Sequence, residues 1–399
     1  MLHSRLLSLA GMAFATCALA QEPATVSPAA PDTKPETVAR AAPPSAPMTL
    51  VLPTDNDALL RGKPEEFYMY VDRNFEGQAT KPWEGGQYGY FRGPVRVSPE
   101  NVVFMHFHEG IDIACQKRSE KGEPEDEVRS ISDGEVVHVS DLPGGSNYGR
   151  YIVIRHDWGE GPFYSLYAHL SKCLVKEGDK VQPRTPIAVM GHTGEGINMQ
   201  RSHTHLELNL MLNSQFGEWH DANFKSSPNR HGPYNGLNLS GMDIAALYLA
   251  HQKNPGITVA QFLKTQPVVF KVLVPRRSDI ELAKAYPWMA ENLDQPSPSW
   301  EISFSDGAVP LKITPSSEAV ASPKLSWVKD NGVPHLYYTR RCVSGSGAAG
   351  TLTGTGLQYI QLITGDFTRP PAVADSTPKK ATASKSSKKS STKKKKQDS

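Results

Sequence analysis

Hydrophobic and polar residues alternate from Ser202 to Leu210, and this two-residue period is typical of a β-strand. The apolar side comprises Leu206, Leu208 and Leu210, and the polar side comprises His203, His205 and Glu207. We expect the leucines to face a core and the polar side to line a cavity. Because side chains two residues apart leave a strand on the same face, about 6–7 Å apart at Cα, both imidazoles can reach one small site. One would be a ligand and the other would lie beside it; the alternative is a merely polar surface.

The region 128–191 consists of short apolar runs separated by turn residues. Residues 128–139 surround an Asp-Gly pair typical of a hairpin, and further β runs follow at 151–154, 163–170 and 181–190. Turns at intervals of about ten residues, without a convincing helix, predict a compact all-β domain. His169 lies in one of these runs, where a lone histidine is usually just accommodated.

A second histidine-bearing segment, His-Phe-His-Glu-Gly-Ile-Asp-Ile-Ala, occupies residues 106–114. His108 and Asp112 have a spacing that would suit a helix, but Gly110 and the nearby isoleucines disfavour one. In a straight strand their Cα atoms would be about 13 Å apart. A shared metal ion therefore requires the chain to curl, which Gly110 permits. His106 competes for the ligand role but is farther from Asp112 along the chain; the alternative is a capping Asp near a surface histidine.

Aromatic residues are dense between Phe67 and Arg92. They are Phe67, Tyr68, Tyr70, Phe75, Trp83, Tyr88, Tyr90 and Phe91. We expect core and strand packing. The alternative is the wall of a groove, since the glycines at 85, 86 and 89 would leave backbone open to a ligand.

Three short helices are predicted after residue 211, at 243–252, 259–264 and 280–285. Ser240 and Asp243 form a capping box for the first helix, and Pro255 lies beyond its end. Residues 299–367 predict β-hairpins, with strands at 300–304 and 335–339. The glycine-rich stretch 345–350 matches a dinucleotide fingerprint by letters alone. Since no helix is expected after it, we interpret it as a loop.

Composition is ordinary for a soluble globular protein, with 38% hydrophobic and 21% charged residues among 399 and a net charge of +2. The charge is uneven, because residues 376–399 contain nine lysines and one aspartate and leave residues 1–375 at about −6. This tail has no aromatic and few apolar residues, so we expect it to be disordered. It would attract anionic envelope polymers and lipid head groups diffusely, or simply aid solubility. Nucleic acid is not an expected partner of a secreted chain.

The N-terminus resembles a secretory signal, with Arg5, an apolar run from Leu6 to Ala15 and a small-x-small cleavage site at 18–20. The run is too short for a stable membrane anchor, and the residues before Cys17 match a lipoprotein box poorly. Cleavage would leave three cysteines in an oxidising compartment: Cys115, Cys173 and Cys342. The first two could form a disulfide, or they could be small buried hydrophobes.

Seven segments together resemble the M23 (lysostaphin/LytM-type) zinc metallopeptidases. They are HEGIDIA at 108–114, SDGEV at 132–136, YGRYIVIRH at 148–156, YAHLS at 167–171, EGDKV at 177–181, GHTGE at 191–195 and SHTHLEL at 202–208. The resemblance covers roughly residues 86–212, and it is specific because HxxxD, YxHL and HxH occur in the family's order. The chain departs from the pattern at Thr204, where a bulky apolar residue is more usual. It also carries an acidic insertion at 117–127, which we expect to lengthen a loop beside the groove.

The resemblance implies a mainly β fold: a lysostaphin/LytM-like, duplicated-hybrid-motif antiparallel domain, followed by a mixed α/β or β region. It implies one Zn²⁺ held by His108, Asp112 and His205, with His203 as general base and His169 facing the developing oxyanion. The implied activity is that of a secreted or periplasmic endopeptidase that cleaves peptidoglycan stems or cross-bridges. The alternatives are a non-catalytic regulator of cell-wall amidases and a metallopeptidase that acts on proteins.

The predicted chain has five parts: a signal peptide (1–20), a Pro/Ala-rich linker (21–47), the M23-like domain with an N-terminal β extension (48–225), an accessory region (226–370) and the Lys-rich tail (371–399). The accessory region could bind the cell wall, gate the active site or buttress the catalytic domain. The sequence does not rank these roles.

Overall fold

The computed structural model describes residues 48–89, 94–104, 107–332 and 335–367. The predicted signal peptide, linker and Lys-rich tail therefore lie outside the described residues, as do Tyr90, Phe91 and His106. No helix within the described ranges is both long and apolar enough to cross a membrane. The division of the chain into five parts stays a prediction.

The segment before the main sheet forms short elements, and a β-bridge between Tyr68 and Ile113 joins it to the sheet. These elements are helix α1 (Pro64–Phe67), strands β1 (Arg73–Phe75), β2 (Gln78–Thr80), β3 (Pro94–Ser98) and β4 (Asn101–Phe104), and a 3₁₀ turn at Trp83–Gly86. Tyr68 is buried and stacks on Trp83 with ring centroids 6.1 Å apart, so this part of the aromatic segment packs as expected. Gly86 is also buried. A Cβ there would lie 2.7 Å from the carbonyl oxygen of Met69, so this glycine serves close packing and not an open groove wall.

A nine-stranded antiparallel sheet forms the centre of the fold. Its strands are β5 (Ile111–Ala114), β6 (Glu127–Arg129), β7 (Gly134–Ser140), β8 (Arg150–Asp157), β9 (Pro162–Cys173), β10 (Lys180–Val181), β11 (Pro186–Met190), β12 (His203–Met211) and β13 (Leu239–Met242). The long strand β9 pairs with β8, β11 and β12, and β12 pairs in turn with β5 and β13. The prediction of a mainly β, antiparallel fold is confirmed.

Strand β12 is buried on both of its faces. Leu206, Leu208 and Leu210 are fully buried in the core, as their alternation predicts. His203 and Glu207 on the opposite face are also 0% exposed, so the surface-strand alternative is wrong. The buried polar face must therefore find its partners within the protein, because unpaired buried polar groups are costly.

Gly110 acts through close approach more than through an unusual backbone conformation. Its φ is not in the left-handed region, but a Cβ at this position would lie 2.5 Å from the carbonyl oxygen of Leu206 and 2.9 Å from Cε1 of His205. Only a residue without a side chain lets the chain before β5 pass this near to β12.

The C-terminal part is mixed α/β. Its helices are α2 (Phe216–Asn223), α3 (Ile244–Lys253), α4 (Val259–Lys264), α5 (Glu281–Ala285) and α6 (Gly354–Thr364). Its strands are β14 (Phe270–Pro275), β15 (Ser299–Phe304), β16 (Pro310–Ser316), β17 (Lys324–Val328), β18 (Val343–Ser344) and β19 (Thr351–Leu352). Strands β14 to β17 form a four-stranded antiparallel sheet in the order β16-β15-β14-β17. The three helices predicted after residue 211 are present as α3, α4 and α5.

Several local predictions in this part are wrong. Asp243 alone caps α3, by accepting from the backbone N–H of Ala246 at 2.9 Å, whereas Ser240 lies in β13 and hydrogen-bonds Tyr359. Residues 335–337 form a 3₁₀ helix where a strand was predicted, because the Thr339 hydroxyl donates to the carbonyl of His335 and holds the chain in a turn. Helix α6 follows the glycine-rich loop, although no helix was predicted there. Its first turn contains glycines, which have low helix propensity, but its later residues form an apolar face that is buried.

Side chains of the C-terminal part hold it against the main sheet. The Tyr286 hydroxyl donates to the carbonyl of Pro162 at 2.6 Å and accepts from the N–H of Met211 at 3.0 Å, so it joins β9 and β12. The indole of Trp219 donates to the carbonyl of Gln358 at 2.9 Å, which ties α2 to α6. Strand β13, beyond the predicted boundary at residue 225, extends the main sheet. These contacts pack the C-terminal part against the main sheet.

The cysteines do not form a bridge in this structure. All three cysteines within the described residues are free. Cys115 donates from Sγ to the carboxylate of Asp126 at 3.2 Å, and burial together with this carboxylate raises the pKa of its thiol to about 12. Burial also raises the pKa of Cys173 to about 11, so neither thiol has the thiolate character of a reactive cysteine.

Candidate metal centre and cleft

Three side chains that are distant in sequence bring one donor atom each to a common point. His205 Nδ1 lies 2.9 Å from Asp112 Oδ1 and 3.1 Å from His108 Nε2, and His108 Nε2 lies 3.2 Å from Asp112 Oδ1. The strand register explains half of this convergence, because His205 on β12 is directly opposite Asp112 on β5. The chain before Gly110 then returns His108 to the same point. All three residues are buried.

The spacing of these atoms fits a tetrahedral metal ion. Donor atoms bound at about 2.0–2.1 Å in tetrahedral geometry lie roughly 3.3 Å apart. The observed separations of 2.9–3.2 Å are slightly shorter and need only a small expansion. Two imidazoles and one carboxylate leave a fourth position open, which is the pattern of a catalytic site and not of a closed structural one.

Hydrogen bonds hold both imidazoles in the tautomer that metal binding requires. His108 Nδ1 is 2.7 Å from the carbonyl oxygen of Gln87, which can only accept, so Nδ1 carries the proton and Nε2 keeps its lone pair. His205 Nε2 donates to the Glu207 carboxylate at 2.8 Å, which directs Nδ1 towards the site. Nδ1 itself hydrogen-bonds Asp112 Oδ1 at 2.9 Å, and a metal ion would take the place of the proton between them. Partners of this kind on the far nitrogen are usual for histidines that bind metals.

Glu207 is a functional residue to which the sequence assigned no role. It is 0% exposed, and its Oε1 accepts from the Tyr148 hydroxyl at 2.7 Å as well as from His205. Its position two residues after His205 on the same strand face was the available signal. Burial tends to lower the pKa of His205, but hydrogen bonds to Asp112 and Glu207 outweigh it and raise this pKa to about 9. The two carboxylates therefore favour a cation at this point.

The two further histidines lie beside the three donor residues. The ring of His169 is 4.7 Å from that of His203 and 5.7 Å from that of His205, centroid to centroid. His203 donates from Nδ1 to the carbonyl of Arg201 at 2.7 Å, and its Nε2 lies 3.3 Å from Asp112 Oδ1. The structure thus brings all five predicted site residues together. His203 differs from the other three histidines in that it is fully buried beside Asp112 and does not line the cleft.

His169 occupies a strained position in β9. Its φ of 63° is in the left-handed region that residues with a side chain rarely adopt, and the pairing of β9 with its neighbours shifts register close by. Its Nδ1 donates to the carbonyl of Thr193 at 2.9 Å. Burial, and then the neighbouring His203 and His205, hold the pKa of His169 well below its usual range, so the imidazole is neutral. Strain of this kind persists where surrounding contacts enforce it, and it is frequent at functional sites.

A cleft of about 1080 Å³ opens onto this group of residues. His108, His169 and His205 line it, together with residues from 227–237 and Arg340 of the C-terminal part. The C-terminal part therefore also forms one wall of the cleft. The insertion at 117–127 supplies none of the described lining residues, but it contacts the neighbouring segment through the pair between Glu123 and His192. It folds back on itself through a β-bridge between Arg118 and Pro124.

The fold and site together define a class: an antiparallel β-sheet domain that presents two histidines and an aspartate to an open cleft. Residues 106–216 match the family model described as peptidase family M23. The chain therefore carries a peptidase family M23 domain, as the sequence motifs predicted.

The curated relatives match about a fifth to a quarter of this chain. An uncharacterized metalloprotease of Haemophilus influenzae is 34% identical over 103 residues, which are 26% of this chain and 18% of that protein. The murein hydrolase activator NlpD of Escherichia coli K12 is 36% identical over 87 residues, 22% of this chain and 20% of NlpD. Among solved structures, the catalytic domain of lysostaphin from Staphylococcus simulans is 28% identical and covers 30% of this chain and 76% of that domain, with a TM-score of 0.22. The chain spans at most about a quarter of the curated relatives it matches.

Proposed function

We propose that this protein is a zinc-dependent metalloendopeptidase that hydrolyses peptide bonds in peptidoglycan stems or cross-bridges. The observation that carries the proposal is the convergence of His108 Nε2, Asp112 Oδ1 and His205 Nδ1 within 3.2 Å of one another at an open cleft. The orientation of both imidazoles by Gln87 and Glu207 supports it, because such bonds have little purpose around a merely structural polar cluster.

The chemistry is divided among five side chains. His108, Asp112 and His205 would hold Zn²⁺, which supplies Lewis-acid polarisation of a carbonyl and an ionised water near neutral pH. His203, with Nδ1 fixed by a backbone carbonyl, has Nε2 available to take a proton beside Asp112. His169, which lines the cleft, has Nε2 available to hydrogen-bond the substrate carbonyl as negative charge develops on its oxygen.

A murein substrate and an envelope location are supported by the names of the relatives, among which are murein hydrolase activators and a lipoprotein. The predicted signal peptide agrees with a secreted or periplasmic protein. The cleft is bordered by both the main sheet and the C-terminal part, and its volume of about 1080 Å³ is sufficient for part of a peptide.

A second candidate is a non-catalytic regulator of cell-wall amidases, and the similarity to murein hydrolase activators favours it. The site argues for catalysis, because all five positions carry residues able to bind metal or transfer protons. A metallopeptidase that acts on proteins would use the same residues, so the substrate must be decided by experiment.

Metal analysis of the purified protein tests the first step. We expect about one zinc per chain in the wild type and in His192→Ala, a control histidine outside the site that pairs with Glu123. His205→Ala should lose most of the metal. Equal zinc in wild type and His205→Ala would refute the ligand assignment.

Mass spectrometry of the products released from purified sacculi tests the activity. Wild type should release cleaved peptides, whereas His203→Ala and His169→Ala should be slower by about 100-fold or more. Identical products and rates for wild type and His203→Ala would show that the proposed proton transfer is wrong. No release by zinc-loaded wild type, with amidase stimulation in a mixed assay, would favour the regulator.

A further inference from the structure

Arg340 reaches the active-site cleft from a turn in the C-terminal part, far from the catalytic motifs in sequence. Arg340 and Arg341 have φ values of 51° and 66°, so two consecutive residues with long side chains adopt the left-handed conformation. The turn is held by the Thr339 hydroxyl, which accepts from the N–H of Val343 at 3.1 Å, and by the bond from Arg341 N–H to the carbonyl of Leu336 at 2.9 Å. A strained turn that places one arginine in the cleft and leaves the next exposed has a specific geometry to maintain.

The surroundings of the Arg340 guanidinium satisfy it only in part. Nη2 donates to the carbonyl of Gly236, and the group lies 5.8 Å from the centroid of the Tyr359 ring. Nη1 is shielded from solvent and has no hydrogen-bond partner, so a ligand in the cleft would pair with it when the guanidinium turns towards the cleft. A donor on a charged group that is left unpaired in this way is costly, and its cost falls when an acceptor arrives.

The described part of the chain provides no salt-bridge partner for this cation. Glu109 lines the same cleft and attracts Arg340 electrostatically, but neither it nor any other acidic side chain in the described ranges forms a salt bridge with the guanidinium. A guanidinium stays charged at all physiological pH values and presents a planar fork that matches two carboxylate oxygens. An arginine on the wall of the cleft that has one donor without a partner and no salt bridge is therefore suited to recognise an anion carried by the substrate.

We propose that Arg340 selects substrates by binding a free carboxylate of the peptide that lies in the cleft. The inference rests on the proposed function, since it names the chemical class of peptide that the same cleft takes: one with an unamidated carboxylate near the scissile bond. This carboxylate is either the C-terminal carboxyl of the peptide or an internal one left free by the branching of the peptide. Arg340 does not touch the reacting atoms, so it is a specificity-determining residue and not a catalytic one.

The test compares soluble muropeptides with the same compounds after amidation of their carboxyl groups, using the full-length zinc-loaded protein. Binding is measured by calorimetry, and turnover is followed separately by mass spectrometry. Wild type should bind the native muropeptides about 10- to 100-fold more tightly than the fully amidated ones, as expected for a charge-assisted hydrogen bond. Two singly modified sets, one amidated only at the C-terminus and one only at internal carboxyls, identify which carboxylate is recognised.

Variants assign the selectivity to one side chain. Arg340→Met should reduce the difference to less than about threefold, and Arg340→Lys should retain part of it because the charge stays while the fork is lost. Arg341→Met is the matched control, since it alters the adjacent, exposed arginine with the same backbone conformation, and it should behave as wild type.

The proposal is overturned if wild type binds native and amidated muropeptides equally, or binds neither, or if Arg340→Met keeps the full difference. The comparison within wild type needs no variant, so poor folding of Arg340→Met would not remove the test. Selective binding without any product would count against the proposed hydrolysis and leave the role of Arg340 supported. Turnover of native and amidated muropeptides without a difference in binding would support the proposed hydrolysis and refute the role of Arg340.

Discussion

Glu207→Gln is the perturbation that most directly tests how this site holds its metal. The substitution keeps the size of the side chain and removes its charge. The wild-type carboxylate is fully buried, and its Oε1 accepts from His205 Nε2 at 2.8 Å and from the Tyr148 hydroxyl at 2.7 Å. A buried hydrogen bond to a charged group contributes about 1.5–3 kcal/mol, against about 1 kcal/mol for a neutral one.

The loss should appear as weaker metal binding and not as unfolding. Removing a partner of a metal-bound histidine typically lowers metal affinity by about 10- to 100-fold, and a tenfold change corresponds to about 1.4 kcal/mol. We therefore expect Glu207→Gln to weaken zinc binding by about 10- to 100-fold. Tyr148→Phe, which removes only one hydrogen bond to Glu207, should weaken it by less than about tenfold.

The assay is competition for zinc with a chelator of known affinity at fixed pH, with circular dichroism to verify the fold. Glu109→Gln is the matched control, because Glu109 also lines the cleft and follows a ligand histidine, yet forms no hydrogen bond to His205. It should change zinc affinity by less than about threefold. If Glu207→Gln binds zinc as tightly as the control, the orientation of His205 by Glu207 does not contribute to metal binding.

Three further predictions concern stability. Gly110→Ala would place a Cβ 2.5 Å from the carbonyl oxygen of Leu206, so urea unfolding should show a loss of about 1–3 kcal/mol; an unchanged midpoint would contradict the close approach. Tyr286→Phe should lose about 1–2 kcal/mol in the same assay, because the hydroxyl bonds to both β9 and β12, and a value near zero would refute this coupling. Burial lowers the pKa of His156 from 6.5 to about 4, so the folded protein binds a proton at this residue less readily than the unfolded chain does. The free energy of unfolding is therefore unaffected by this residue above pH 6.5, and it falls by up to about 3 kcal/mol as the pH decreases from 6.5 towards 4. His156→Gln should flatten the dependence of stability on pH over this interval.

The sequence predicted the five residues of the site more reliably than it predicted the groups that hydrogen-bond to them. The alternation from 202 to 210 places His203 and His205 on one face of a strand whatever the rest of the chain does, because the period of a strand is two residues. The motif resemblance then identified His108 and Asp112 as their partners, and the structure brings these residues together. The ligand assignment itself stays a proposal for metal analysis to decide.

Local patterns failed where side-chain hydrogen bonds to the backbone or tertiary contacts determine the local structure. Residues 335–339 have the composition of a strand but form a 3₁₀ turn, since the Thr339 side chain competes for backbone hydrogen bonds. Helix α6 begins with Gly354 and Gly356, which have low helix propensity; Gly356 is required there because a Cβ would lie 2.2 Å from the carbonyl oxygen of Cys342.

By itself, the sequence determined the strand periods, the positions of the histidines on them and the family of the domain, since these depend on residues that are near one another in the chain. Only the tertiary structure decided which groups support the site. A backbone carbonyl at Gln87 leaves no signature in the sequence, and the bond between Glu207 and Tyr148 depends on how β12 lies beside a distant loop. Arg340 belongs to the cleft for the same reason: it is 232 residues from His108, and only the packing of the C-terminal part against the main sheet brings the two to one cavity.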